Sequence, residues 1–209
     1  MKQEIDRSLR ARHGDAAQEK LYRARIAVAG VGGVGSHIAF SLARAGVGHL
    51  HLIDFDVVDI SNLHRQQYRL KDVGKEKTKA LKEQLLAIHP YLDIRESCVR
   101  VTEQNMEALF SSEDIIIEAF DQPEAKAMLV NYVLEHFPDK RLIANSGMAG
   151  YGDSNRIRTR RCMTNFYICG DESADVETEG TLFASRVSIC AGHAANLAIQ
   201  LVVDGRADI

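Results

Sequence analysis

The sequence predicts an α/β fold: a doubly wound, mainly parallel, Rossmann-like sheet with a C-terminal antiparallel extension. Three observations carry this expectation. Short apolar strands alternate with longer helical segments through residues 23–145, the rhythm of right-handed βαβ units. A glycine-rich turn, Gly30-Val31-Gly32-Gly33-Val34-Gly35, separates the first strand of that series from its helix. Beyond residue 145 the rhythm changes to strands with no helix between them.

Taken in order, residues 1–22 read as polar helix with Leu9 and Leu21 as sparse apolar points. Residues 25–30 (RIAVAG) form a short buried strand. Residues 34–45 place Ile38, Leu42 and Ala45 at helical spacing, and Gly46 and Gly48 stop the helix. Residues 49–54 (HLHLID) are a second strand, and 61–68 are polar and irregular. A helix over 75–89 has Leu81, Leu85 and Ile88 on one face and Pro90 after its end. A third strand spans 94–101, a short helix 103–110, and an apolar strand 114–120 suits the sheet centre. A helix over 123–137 starts with proline in its first turn. A fifth strand covers 141–145. Residues 156–161 and 165–168 read as an antiparallel pair, 171–179 as an acidic mobile loop, and 186–203 as an apolar helix on the sheet.

The chain has 209 residues, 45% hydrophobic and 26% charged, enough to bury a core without disulfides or metals. No linker divides it, so residues 1–209 are expected to form a single domain. A net charge of −3 gives no global case for nucleic acid or an anionic membrane. The first residues lack the apolar stretch of a signal peptide, and the apolar runs fall short of the roughly 20 residues a bilayer requires. A cytoplasmic protein is expected. Cys98, Cys162, Cys169 and Cys190 make no C-x-x-C pair, so reduced thiols are favoured over a metal site.

The glycine turn fits G-x-G-x-x-G between strand and helix. Glycine lets backbone amides approach a phosphate, and the helix N-terminus adds partial positive charge. Asp54 follows at the end of the next strand, where a carboxylate accepts ribose hydroxyls. A turn with an acid that only caps the strand end is the plainer alternative; order and spacing together favour a nucleotide. The next residues bear on which nucleotide. Asp56, Asn62, Arg65 and Lys77 leave the same sheet edge, and Asp121 follows the fourth strand to it. A dinucleotide pyrophosphate is largely satisfied by backbone amides. A triphosphate carries more charge and requires cations and usually Mg²⁺. Singly, Arg65 and Lys77 read as surface cations and Asp121 as a helix cap. Jointly they favour ATP.

The segments GVGGVGS, LARAGVGHLHLIDFDVVDISNLHRQQY, VGKEKTKAL and EAFDQ resemble the ThiF/MoeB/HesA adenylyltransferases, relatives of the adenylation domain of ubiquitin-activating enzymes. The likeness extends over roughly residues 9–203. SGMAGYGDSN and RVSICAGHAANL look like the shorter ThiF family 2 of thiamine biosynthesis. The resemblance implies that Gly30, Gly32, Gly33, Gly35 and Asp54 bind ATP, that Asn62, Arg65 and Lys77 hold its phosphates, and that Asp121 holds Mg²⁺. It implies a homodimer in which an N-terminal arginine, Arg12 or Arg10, reaches the other subunit's site. It also implies a partner: a small ubiquitin-like sulfur carrier whose Gly-Gly carboxylate becomes an acyl adenylate. The longer relatives carry two C-x-x-C pairs for zinc; with none here, no structural zinc is expected. They often carry a cysteine in the crossover loop, where this chain has Glu177-Thr178-Glu179-Gly180-Thr181-Leu182-Phe183, so covalent sulfur chemistry is not expected. His64 reads as a surface residue and His193 as a satisfied core residue. The alternatives are an NAD-dependent oxidoreductase, a non-catalytic nucleotide-binding protein, and a family member adenylating a small carboxylate, a peptide terminus or a tRNA base.

Overall fold

The computed structural model describes residues 1–207 and 209. Among the described residues seven strands occur: β1 (Arg25–Ala29), β2 (His49–Ile53), β3 (Asp93–Ser97), β4 (Ile115–Glu118), β5 (Arg141–Asn145), β6 (Arg158–Met163) and β7 (Phe166–Gly170). They form one sheet in the order β3-β2-β1-β4-β5-β7-β6. All neighbours are parallel except β6 and β7, the expected antiparallel extension. The chain lays β2 and β3 on one side of β1, then crosses to place β4 on the other. This reversal opens a crevice beyond the C-terminal ends of β1 and β4, where a doubly wound sheet binds ligands.

The helices are α1 (Lys2–His13), α2 (Asp15–Arg23), α3 (Gly33–Ala45), α4 (Lys77–Ile88), α5 (Glu103–Phe110), α6 (Pro123–His136), α7 (Val176–Glu179) and α8 (Ala184–Val203). Side chains alternate across a strand, and the core divides accordingly. Ile26, Val28, Leu50, Leu52, Ile115 and Ile117 pack with Ile38 and Leu42 of α3, Leu81 and Leu85 of α4, and the small-residue face of α8. Ala27, Ala29, Ile53 and Ile116 pack with Met106 and Phe110 of α5 and Leu129 and Val133 of α6. Burial on both faces explains why β1 and β4 read as continuous apolar runs.

Several boundaries differ from the sequence expectation. Residues 1–22 are two helices, broken at Gly14 with φ +84°, a conformation that favours glycine. The third strand ends at Ser97 rather than 101; Ser97 still accepts the Asp54 amide, while Val101 is buried in the other apolar cluster. The fourth helix begins at Lys77, not 75. The acidic segment 171–179, expected as a mobile loop, includes a short helix. Asp171 is buried in an ion pair with Arg186 and caps the amides of Ser173 and Ala174, and α7 follows. The apolar runs also extend further than expected: α8 is long and apolar enough to cross a membrane by length and composition. Half of that window is buried, and α8 packs along α3 in the apolar cluster.

A candidate nucleotide site at the strand crossover

The glycine turn is built by close approach. Gly30 has φ +88°, and a Cβ there would lie 2.7 Å from the carbonyl oxygen of Ala119 beyond β4. A Cβ on Gly35 would lie 1.9 Å from the Gly30 carbonyl oxygen. These two glycines are required by packing. At Gly32 the nearest atom to such a Cβ is Gln66 Nε2, at 3.7 Å. Gly32 is also the N-cap of α3 and carries no side-chain cap. The first amides of a helix have no partner inside it, so they face an open cradle with the helix dipole behind them.

Asp54 braces this turn. Its carboxylate accepts the Val31 amide at 2.8 Å and the Asp56 amide at 2.9 Å. A carboxylate oxygen can accept more than one donor, so these bonds leave it able to meet a hydroxyl. Burial pushes its carboxyl above the ordinary range, against the opposing pull of Lys77. Tyr68, absent from the sequence-based site, donates its hydroxyl to the Val31 carbonyl at 2.7 Å and lies 3.4 Å from the Lys77 carbonyl. It joins the glycine turn to the start of α4. The only sequence hint was an aromatic residue closing a polar segment.

Lys77 is the first residue of α4 and is buried, not on a solvated face. Its ammonium meets Asp56 at 2.6 Å. Asn62 accepts the Asp59 amide at 3.2 Å, and its carbonyl receives the Arg65 amide at 3.2 Å and the Gln66 amide at 3.0 Å. It therefore shapes the turn carrying Arg65. Arg65 lies beside the third glycine of the cradle: a Cβ on Gly33 would be 3.9 Å from its Cγ. Among the described residues its guanidinium has two hydrogen-bond contacts, both at 3.4 Å, to the Ser61 carbonyl and His64. His64 is exposed, as expected.

Asp121 sits in the turn after β4. The residue before it, Phe120, contacts the glycine turn; its Cδ1 would be 3.1 Å from a Cβ on Gly30. Asp121 does not cap α6, whose N-cap is Gln122. It is exposed and has no hydrogen bond or ion pair among the described residues. An unpaired carboxylate suits a hard cation whose other ligands are phosphate oxygens and water. Among the described residues, no group of three or more His, Cys, Asp or Glu stands together as a metal cage. Behind this turn, Glu118 is buried and accepts both Phe120 N–H at 2.7 Å and the Lys126 ammonium at 3.0 Å. Sequence reasoning missed this network, for which a polar end to an apolar strand was the one signal.

The two N-terminal candidates separate. Arg10 is held by Asp6 at 2.9 Å and Glu19 at 3.0 Å, and lies over the Tyr22 ring. Arg12 is exposed with no partner among the described residues. Both belong to the helix whose Leu9 packs at Gly46, the far end of α3 from the cradle. The 13 residues of α3 separate the two ends by about 20 Å, so neither arginine serves the cradle of its own chain. All four cysteines are free thiols. Cys169 and Cys190 are buried; burial pushes Cys169 up to about 11 and Cys190 further still. Neither is an activated nucleophile. His193 is half-buried, with Nδ1 3.0 Å from Thr159 Oγ1.

Fold and crevice together define an α/β protein with a candidate nucleotide cradle at a strand crossover. Comparison with known families makes this specific: residues 5–208 match the ThiF family, and the chain belongs to it. A sulfur carrier protein adenylyltransferase of Thermus thermophilus is 35% identical over 125 residues, covering 57% of this chain and 46% of that one. A tRNA threonylcarbamoyladenosine dehydratase of Bacillus subtilis is 36% identical over 147 residues, 69% of this chain and 57% of that one. The matches span from 24% to 57% of the lengths of the curated relatives. Among solved structures, E. coli tRNA N6-threonylcarbamoyladenosine dehydratase in complex with ATP superposes with a TM-score of 0.85. It is 24% identical, with 95% of this chain and 93% of that one covered; at that identity the likeness concerns the fold.

Proposed function

We propose that this chain is an ATP-dependent adenylyltransferase, with residues 1–209 as one adenylation domain working in the cytoplasm. One observation supports the reading: the glycine cradle at the strand crossover is bordered by the Arg65 stem, by Phe120 just before Asp121, and through Tyr68 by the Lys77 end of α4. The acceptor is the C-terminal carboxylate of a Gly-Gly-ended, ubiquitin-like sulfur carrier, in the thiazole branch of thiamine synthesis. The carboxylate attacks the α-phosphorus of ATP and expels pyrophosphate, leaving an acyl adenylate. That displacement requires alignment and charge neutralisation rather than a protein nucleophile. The cradle amides orient the phosphates, Asp54 receives the ribose, and Arg65 and Lys77 stabilise charge gathering on pyrophosphate. Asp121 would hold Mg²⁺, which when bound neutralises the same oxygens. Two chains work as a homodimer, and Arg12 of each reaches the site of the other.

ATP–pyrophosphate exchange in the presence of the carrier tests this reading. Carrier-dependent exchange is expected; tight NAD binding with no ATP binding would favour the oxidoreductase alternative. A second reading, an RNA acceptor, is favoured by Arg156, Arg158, Arg160 and Arg161, exposed on or beside edge strand β6. Against it, Arg160 is already paired with Glu172 at 2.6 Å. Adenylation of tRNA with no exchange on any Gly-Gly carrier would select the second reading.

A further inference from the structure

We infer that His37 is a positioning residue for Arg65; the inference rests on the nucleotide site proposed above. His37 lies on the second turn of α3, half-buried. Its Nε2 is 3.2 Å from the Arg65 carbonyl oxygen. A carbonyl only accepts, so Nε2 carries the proton, and Nδ1 of the neutral ring accepts from the Gln67 amide nitrogen at 2.9 Å. Ser188 Oγ of α8 lies 3.1 Å from Nδ1 and donates to the Ala184 carbonyl at 2.6 Å. Ser36 adds a second clip: its hydroxyl donates to the Gly33 carbonyl at 3.1 Å and accepts the Gln67 amide at 3.2 Å.

The helix that begins at the cradle thus holds the segment carrying Arg65. The Arg65 backbone is fixed at both ends, by the Asn62 carbonyl on its amide and by His37 on its carbonyl. Among the described residues the guanidinium has just the two 3.4 Å contacts. Such a backbone keeps the arginine stem over the third glycine while its tip stays available to an anion. Without His37 the carbonyl loses its partner, and the stem loses its direction toward the phosphates. The ring also borders a cavity of about 510 Å³ beside α3, so an aliphatic side chain has room there.

Calorimetric titration of ATP and of AMP into wild type, H37L and H37Q tests the role. Glutamine places an N–H near the position of Nε2; leucine does not. With H37L, ATP affinity is expected to fall about tenfold, the worth of one hydrogen bond, while AMP affinity stays unchanged, because Arg65 serves the terminal phosphates. H37Q restores ATP affinity. Equal losses for ATP and AMP, an ATP affinity unchanged in H37L, or no recovery in H37Q would each overturn the inference. If H37L does not fold, H37N, too short to reach the carbonyl, takes its place with the same expectations. A wild-type chain that binds no ATP instead removes the nucleotide site itself, an outcome distinct from a failure of His37 alone.

Discussion

The glycine turn and the Asp121 turn face each other across the crossover, and they are built in opposite ways. Around the glycine turn, little is left free: Asp54 and Tyr68 bond its backbone, and Ala119 crowds Gly30. Across the crevice, Asp121 is exposed and unpartnered among the described residues, and Arg65 beside the cradle has only long contacts. The first region is fixed before a ligand arrives, and the charged side chains are left to adjust. Preorganised backbone donors cost no rearrangement on binding, whereas free charges remain well solvated until a polyanion replaces their water.

Substitutions should separate the two regions cleanly. The largest effect belongs to the fixed side. Gly35→Ala forces a methyl group into the Gly30 carbonyl, and a loss of about 4 kcal/mol or more in unfolding free energy is expected by denaturant titration. Gly32→Ala, whose methyl group would make only ordinary contact with Gln66, should leave unfolding unchanged and weaken ATP binding. Equal stability loss in both variants would mean that the turn is not divided as described. On the adjustable side, Asp121→Ala and Arg65→Ala should each lower ATP–pyrophosphate exchange by about 10²–10³-fold with an unchanged melting temperature. Wild-type exchange in either would remove that residue from the chemistry.

The fixed region was the more legible in sequence, for a physical reason. Close backbone approach demands glycine, a buried parallel strand demands apolar residues, and both demands leave marks at set spacings. Gly30, Gly35 and the five parallel strands of the βαβ series followed directly. Side-chain partnerships leave no such mark. Nothing local in the sequence says that Lys77 is buried against Asp56, that Tyr68 reaches Val31, or that Asp171 finds Arg186 on α8. Reading residues 171–179 as an acidic mobile loop missed the Asp171–Arg186 pair because the compensating guanidinium is distant in sequence. Arg10 and Arg12 were indistinguishable for the same reason: the acids that occupy Arg10, Asp6 and Glu19, declare themselves only when α1 and α2 fold together.

The Asp171–Arg186 pair extends the contrast to stability. Burial alone would raise the Asp171 carboxyl; the Ala174 and Ser173 amides and Arg186 overcome it and hold the carboxyl below its ordinary value of 3.8. A depressed carboxyl contributes stability above its unfolded value and loses it as pH falls through the folded one. Asp171→Asn should therefore cost about 3 kcal/mol near neutral pH by leaving Arg186 without its anion. The gap to wild type should narrow as pH drops below 3.8. A gap independent of pH would show that charge is not what the pair contributes.

The smallest effect tests the boundary between the two regions, where Lys77 is buried yet bears a charge we propose for phosphate. Asp56 holds its ammonium at 2.6 Å, and the Asp56 side chain is itself 46% exposed. An exposed acid competing with the ligand would make Asp56→Asn bind ATP more tightly. An acid that keeps the lysine aimed at the cradle would make the same variant bind less tightly. The second outcome is expected, because the lysine backbone is anchored as well, its amide bonded to the Asp56 carbonyl at 2.9 Å. Half-exposed ion pairs contribute little, so the expected loss in ATP affinity is about threefold. Tighter binding by the variant would place Lys77 among the adjustable charges with Arg65 rather than with the fixed turn.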